Sequence, residues 1–311
     1  MNFVFWNLTL ATVLYWFCLI TKEQFQWIKY CPSILISSAN IYVFLFLVNR
    51  WWITGYFPLS NLYESVVFLT WCLTVVQLIF ELRTSSKIIG SILTPIQLGL
   101  ILFAYSILPF ELQKPASLVP ALQSTWLMLH VSMMLFSYAV LILGSAISIL
   151  ILCISSRLNQ LQKLNLEYSN NFVSNFEILF NGNYITFSKL PNLIFNRLSS
   201  GFSTKWNFVN TLDVWSYRII SLGNIALTLG ILAGSVWANE SWGSYWSWDP
   251  KETWSLVTWL VFTMYLHGRL INNWKGVKVA IIAVTGFISI WISYFGVNFL
   301  ANGLHSYGWI S

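Results

Sequence analysis

Three histidines occur in the 311 residues: His130, His267 and His305. A neutral imidazole offers one lone-pair nitrogen to a metal and one N–H to a neighbour, so they are the first candidates for ligation. His130 stands one turn past Trp126, and His305 lies in Leu304-His305-Ser306-Tyr307-Gly308. Between them runs a dense tract, Trp242-Gly-Ser-Tyr-Trp246-Ser-Trp248-Asp249-Pro250-Lys251-Glu252-Thr-Trp254, with Trp237 just ahead of it. Four tryptophans within thirteen positions supply a flat, π-rich floor, interleaved with a few charges. Such a floor suits a planar hydrophobic ligand with an acidic edge, and two imidazoles on one face add bis-histidine ligation of a haem iron. An interfacial reading competes: tryptophans that anchor at headgroup level, beside hydrogen-bonded surface histidines.

These residues must be positioned by helices in a membrane. The chain is 57% hydrophobic and 8% charged, with mean hydropathy +0.67, against roughly a quarter charged in soluble domains. About 20 apolar residues span a bilayer core. The sequence predicts eight spans: 3–21, 33–49, 62–82, 88–109, 124–153, 218–238, 254–270 and 279–300. Continuous rather than alternating apolar runs exclude a barrel. The predicted fold is therefore an all-α polytopic membrane protein, a bundle of about eight transmembrane helices. It divides into helices one to five (1–156), a polar loop (157–213), and helices six to eight with the aromatic tract (214–311). The first run, 2–21, lacks a basic leader and a small-residue cleavage site and reads as a retained helix.

Alternating the spans places thirteen Lys and Arg on the face opposite the N-terminus, and only Arg50, Lys114 and Lys251 on the N-terminal face. Basic residues mark the cytoplasmic-type side. The net charge of +6 is thus an orientation signal and not a nucleic-acid one. Both termini, His130, His305 and the tract fall on the outer or luminal face. His267 lies thirteen residues past Trp254, about 20 Å along a helix, so it cannot share their site. Cys18, Cys31, Cys72 and Cys153 form no close pair, and no C-x-x-C-H of haem attachment is present. Asp249-Pro250 reads as an N-cap with Pro at the first helical position, and Glu252 suits the first turn. Glu64 opens the third span, either as an acceptor that orients an imidazole or in headgroup water. Lys251 pairs with an acidic ligand edge or snorkels to headgroups.

The tract resembles the WWD motif of the haem-handling proteins, and within them the CcsA cytochrome c biogenesis family of plastids and bacteria. Asn61-Leu-Tyr-Glu64-Ser, Leu118-Val-Pro-Ala-Leu ahead of His130, Tyr265-Leu-His267 and Tyr294-Phe-Gly-Val-Asn extend the likeness from about residue 60 to the C-terminus, outside 157–213. The resemblance implies that His130 and His305 are axial ligands of haem b, held as substrate against Trp242, Trp246, Trp248 and Asp249. It makes His267 a transmembrane ligand shared with a CcsB-type membrane subunit. It implies a system II cytochrome c synthase that joins haem vinyls to the thiols of CxxCH apocytochromes c such as cytochrome f. A thioredoxin-like thiol-reducing helper is implied, since the chain has no cysteine pair of its own. A haem transporter and a cofactor-free assembly scaffold are the competing classes. Frequent Phe, Ile and Asn and the nearness to plastid members favour a thylakoid membrane, with a bacterial inner membrane as the alternative.

Tags at either terminus or within 239–252 are expected to be reachable only from the luminal side, and tags within 157–213 only from the other. Protease or alkylation mapping in sealed vesicles checks this. A terminus on the same side as 157–213 overturns the eight-span count.

Overall fold

The computed structural model describes residues 1–21, 26–114, 123–179 and 190–300, with side chains described outside 26–29, 162, 164–179, 190–204 and 300. His305 lies outside the described residues. Among the described residues ten α-helices follow in order: α1 (Asn2–Ile20), α2 (Gln26–Thr54), α3 (Leu62–Thr84), α4 (Ile88–Leu102), α5 (Phe110–Gln113), α6 (Thr125–Leu179), α7 (Leu190–Trp242), α8 (Pro250–Leu270), α9 (Val277–Trp291) and α10 (Val297–Leu300). π-helical turns extend α4 through Phe103–Ile107 and join α9 to α10 through Ile292–Gly296. No strand occurs among the described residues. The protein is an all-α polytopic membrane protein.

Among the described residues seven stretches are long and apolar enough to cross a membrane: α1, 30–54 of α2, α3, 88–107, 125–161 of α6, 205–242 of α7, and 277–299. The seventh predicted span, 254–270, forms within the 21 residues of α8. Thr, Tyr, His267 and Arg269 thin its apolar run, so length and composition alone do not single it out. Much of the polar stretch 157–213 is helical, because α6 runs 55 residues and α7 runs 53. At 1.5 Å per residue each is about 80 Å long, roughly twice a bilayer with its headgroups.

Packing sets α3 and α6 at the centre. The α6 helix lies along α7 and against α3 and α9, while α1 packs on α2 and α4, and α8 on α9. The α6–α7 contact is close because Gly144 on one helix and Gly223, Gly230 and Gly234 on the other meet side chains where a Cβ would stand. Small residues are how membrane helices gain contact area without a hydrophobic driving force between them.

Charges inside this bundle are paired across helices, as a low-dielectric interior requires. At the end where α3 begins, Arg50 Nε donates to Glu64 Oε1 at 2.6 Å, and Arg50 Nη1 to the Gln113 carbonyl at 2.7 Å. Glu64 Oε2 also accepts from Ser60 N–H and Ser60 Oγ, both at 2.7 Å. Glu64 therefore neither orients an imidazole nor rests in water; it ties α2 to the start of α3. At the opposite end Glu81 takes Tyr15 Oη at 2.5 Å, Ser33 Oγ at 2.8 Å and Lys87 Nζ at 3.2 Å, which joins α1 to α4. On that same side Arg269 binds Asp213 at 2.7 Å, and Asp213 accepts the Gly276 N–H at 3.1 Å.

Glu64→Ala leaves the Arg50 guanidinium buried beside an empty site and is expected to cost about 3–5 kcal/mol. The double change Arg50→Met with Glu64→Leu is expected to restore most of that. Thermal unfolding in detergent compares the two, and equal losses count against the pairing.

Candidate functional site

A cavity of about 510 Å³ opens at the end of the bundle where α3, α6 and α8 begin and α7 ends. Its size lies within the range of small-molecule sites. His130, Met134 and Tyr138 from α6 form one wall, and Gly234 and Trp237 from α7 continue it. Trp242, Tyr245 and Trp246 of the tract border it, and Lys251, Tyr294 and Asn298 complete the lining.

The environment of His130 is specific. Its Nδ1 lies 2.6 Å from the Gly230 carbonyl of α7. A carbonyl only accepts, so Nδ1 carries the proton, and in the neutral ring Nε2 is then the nitrogen with the lone pair. A backbone carbonyl on the far ring nitrogen is the usual support of a metal-binding imidazole. The ring stacks on Trp237 at 6.3 Å and 15°, and Trp242 meets Trp237 edge-on at 4.9 Å. Gly234 makes the approach possible, since a Cβ there would stand 2.5 Å from Nδ1.

The tract is a turn held by its own charges. Asp249 caps α8 and Pro250 opens it, as the sequence leads one to expect, and Glu252 completes a capping box with Asp249. Glu252 accepts from the backbone N–H groups of Ser247 at 2.8 Å and Asp249 at 3.2 Å. Trp248 takes a left-handed backbone, φ 58°, and stands 70% exposed, outside the cavity lining. Lys251, in the first turn of α8 ahead of the 254–270 run, donates to Asn298 Oδ1 at 2.6 Å. Enclosure pushes its ammonium pKa down to about 8, with Asp249 pulling the other way.

At the cavity floor Ser65 Oγ meets Tyr294 Oη at 2.9 Å, and Tyr138 Oη meets Ser293 Oγ at 3.2 Å. Both Ser293 and Tyr294 lie in the π-helical turn.

The structure thus brings His130, Trp242, Trp246 and Asp249 to one end of the bundle. It leaves Trp248 on the outside and places His267 at the other end, exposed on the last turn of α8. From Lys251 to His267 is about 24 Å of helix. Sequence reasoning missed Gly230, Gly234 and Tyr138, and it noted Tyr294 and Asn298 in the likeness without giving them a role. The Gly230-Ile-Leu-Ala-Gly234 spacing was the available signal, being a small-xxx-small pattern.

Gly234→Ala is expected to push the His130 ring off the Gly230 carbonyl and to cost about 1–3 kcal/mol through overpacking. Ring ¹⁵N spectra of labelled histidine, assigned with a His130 variant, should change from a fixed Nδ1–H tautomer to a mixture. An unchanged spectrum removes the role assigned to this contact.

Comparison with known proteins places this site in a lineage. Residues 59–305 match the Cytochrome C assembly protein family. Cytochrome c biogenesis protein CcsA of Trieres chinensis is 48% identical over 317 residues, covering 100% of this chain and 96% of that protein. The CcsA protein of Pyropia yezoensis is 45% identical, covering 100% and 97%. That of Microcystis aeruginosa (strain NIES-843 / IAM M-2473) is 42% identical, covering 99% and 96%. Among solved structures, cytochrome c heme lyase CcmF aligns with a TM-score of 0.60 at 16% identity. That alignment covers 97% of this chain but 46% of CcmF, so the chain spans about half that protein's length and shares its fold. The matched region runs from the start of α3 through the tract to the C-terminal histidine, and on that ground the chain belongs to the cytochrome c assembly protein family and serves in cytochrome c maturation.

Proposed function

We propose that the chain is the haem-holding subunit of a system II cytochrome c synthase and presents haem b, as substrate, at the luminal face. The observation that carries this reading is the Nδ1–Gly230 bond of His130, which commits Nε2 to a lone pair beside an aromatic-lined cavity. The donor set fits the group: an imidazole with a fixed tautomer, apolar walls of leucine, methionine and tryptophan, and one cationic side chain. His130 is one axial ligand in this reading, and His305 is the second. Trp237, Trp242 and Trp246 supply the flat apolar surroundings, and Asp249 with Glu252 holds the tract in shape.

The bound haem supplies two vinyl groups. At each, a cysteine thiol of a CxxCH apocytochrome adds across the double bond: a C–S bond forms, the thiol proton passes to the neighbouring vinyl carbon, and no net oxidation occurs. This chain contributes ligation, orientation and exclusion of water, so that effective concentration does the work. The thiols must arrive reduced, a task for a thioredoxin-like helper, since Cys18, Cys31, Cys72 and Cys153 form no pair.

The exposed position of His267 favours a second role for the same protein. An imidazole on the outer surface of α8, at the end remote from the cavity, is placed to share haem with a CcsB-type subunit before its passage to the luminal side. A thylakoid membrane with the cavity facing the lumen fits both roles.

Purified with its partner, the protein is expected to show a low-spin bis-histidine visible spectrum in both oxidation states. His130→Ala or His305→Ala should abolish maturation of c-type cytochromes, and added imidazole should restore part of it. His267→Ala should instead lower haem loading of the whole complex. Normal haem content and maturation in His130→Ala sinks the axial assignment.

A further inference from the structure

A second, apolar groove of about 270 Å³ lies between α6 and α7 on a different face from the His130 cavity. Leu129 and Met133 of α6 and Leu229, Leu232 and Val236 of α7 form its banks, with buried Ala233 between them. Leu229 and Leu232 stand at least half exposed. Leu129 and Met133 immediately precede His130 and Met134, while Leu229 and Ala233 precede Gly230 and Gly234. The groove is therefore the rear of the wall that holds the imidazole against the Gly230 carbonyl.

Its position decides what surrounds it. Both helices are membrane spans over these residues. The stretches 126–133 and 229–236 cover about 10 Å of helix, within the roughly 15 Å of half a hydrocarbon core. Trp126, in the first turn of α6, borders the groove, as indoles do at headgroup level. Just beyond it Ser124 Oγ donates to the exposed Glu240 Oε2 at 2.7 Å. A carboxylate accepts at about four sites, so Glu240 has capacity for further donors. The lysine and arginine side chains at this end are engaged elsewhere: Arg50 with Glu64, Lys114 over the Phe110 ring and Lys251 with Asn298. The stretches 115–122 and 301–311 contain none.

We propose that this groove seats one acyl chain of a bilayer lipid whose headgroup carries hydrogen-bond donors and no net negative charge. The chain fills the space between the leucine banks, and the headgroup donors reach Glu240. An anionic headgroup would set like charge against that carboxylate with no cation at hand. The lipid adds apolar contact behind the glycines of the α6–α7 seam, and its seat stands whatever the other cavity holds.

Native mass spectrometry of the full-length protein with its membrane partner, released from bilayer discs of defined lipid, tests this. The probes are galactosyl diacylglycerol, phosphatidylethanolamine and phosphatidylglycerol of equal chain length. The wild type is expected to hold one more neutral lipid per chain than Leu229→Trp, whose indole fills the groove. In mixed discs either neutral class should be retained about fivefold over phosphatidylglycerol, as for a single like-charge contact at a membrane surface. Glu240→Gln should keep the lipid and lose that preference. A neutral lipid with a diazirine in its tail should label 126–133 and 229–236, a readout that stands even where Leu229→Trp fails to fold. Equal retention by wild type and Leu229→Trp, equal retention of the anionic lipid, or labelling confined to other helices overturns the proposal. So does labelling that appears only once the partner is removed, because the partner then covers this face.

Discussion

The contact of His130 with the Gly230 carbonyl depends on two helices lying closer than ordinary side chains permit. A mid-helix carbonyl is already engaged in its own ladder, and a side chain reaches it only where the neighbouring surface is bare. Gly230 and Gly234 bare it, one turn apart, and Met134 and His130 of α6 occupy the space. The aromatic residues at the cavity end are arranged around that approach. Trp237 stacks on the imidazole, Trp242 closes on Trp237, and the tract leaves α7 at Trp242 to turn back into α8. A residue of ordinary size at position 234 would separate the helices and leave the tract without its neighbour.

Polar groups within the bundle obey one rule at two ends. Glu64 and Glu81 are both buried, at opposite ends of α3, and each gathers partners from helices distant in sequence. The Glu64 cluster joins α2, α3 and α5, while the other joins α1 to α4. Neither carboxylate takes part in the cavity lining. These clusters hold α3 in place, and the start of α3 with the two residues before it contributes Ser60, Asn61 and Ser65 to the cavity lining.

Much of the frame was legible because membrane spans announce themselves as apolar runs and a helix start as Asp-Pro-x-Glu. Those signals are local. The stretch 254–270, read as a span from its apolar length, is helical, and the cap read at Asp249 and Pro250 sets the start of that helix four residues earlier. The cavity lining was less legible. Lys251 and Asn298 are 47 positions apart, Ser65 and Tyr294 are 229, and His130 and Gly230 are 100. Only the packing order of the helices brings these pairs together, and no single stretch encodes it. Trp248 shows the converse: the tract reads as one floor, yet a left-handed backbone at that residue turns its indole outward.

The wide turn at Ile292–Gly296 closes with the Val297 N–H on the Ile292 carbonyl, five residues back. In an α-helix that bond spans four, so the turn holds what amounts to one inserted residue. Each residue advances an α-helix by about 100°, so one extra residue changes the phase of all that follows. Upstream, α9 keeps its register against α6 and α8; downstream, α10 faces the cavity with Asn298 toward Lys251. With a regular turn in its place Asn298 would stand about 100° further round the helix axis, away from Lys251, so the wide turn is what gives the cavity its polar end.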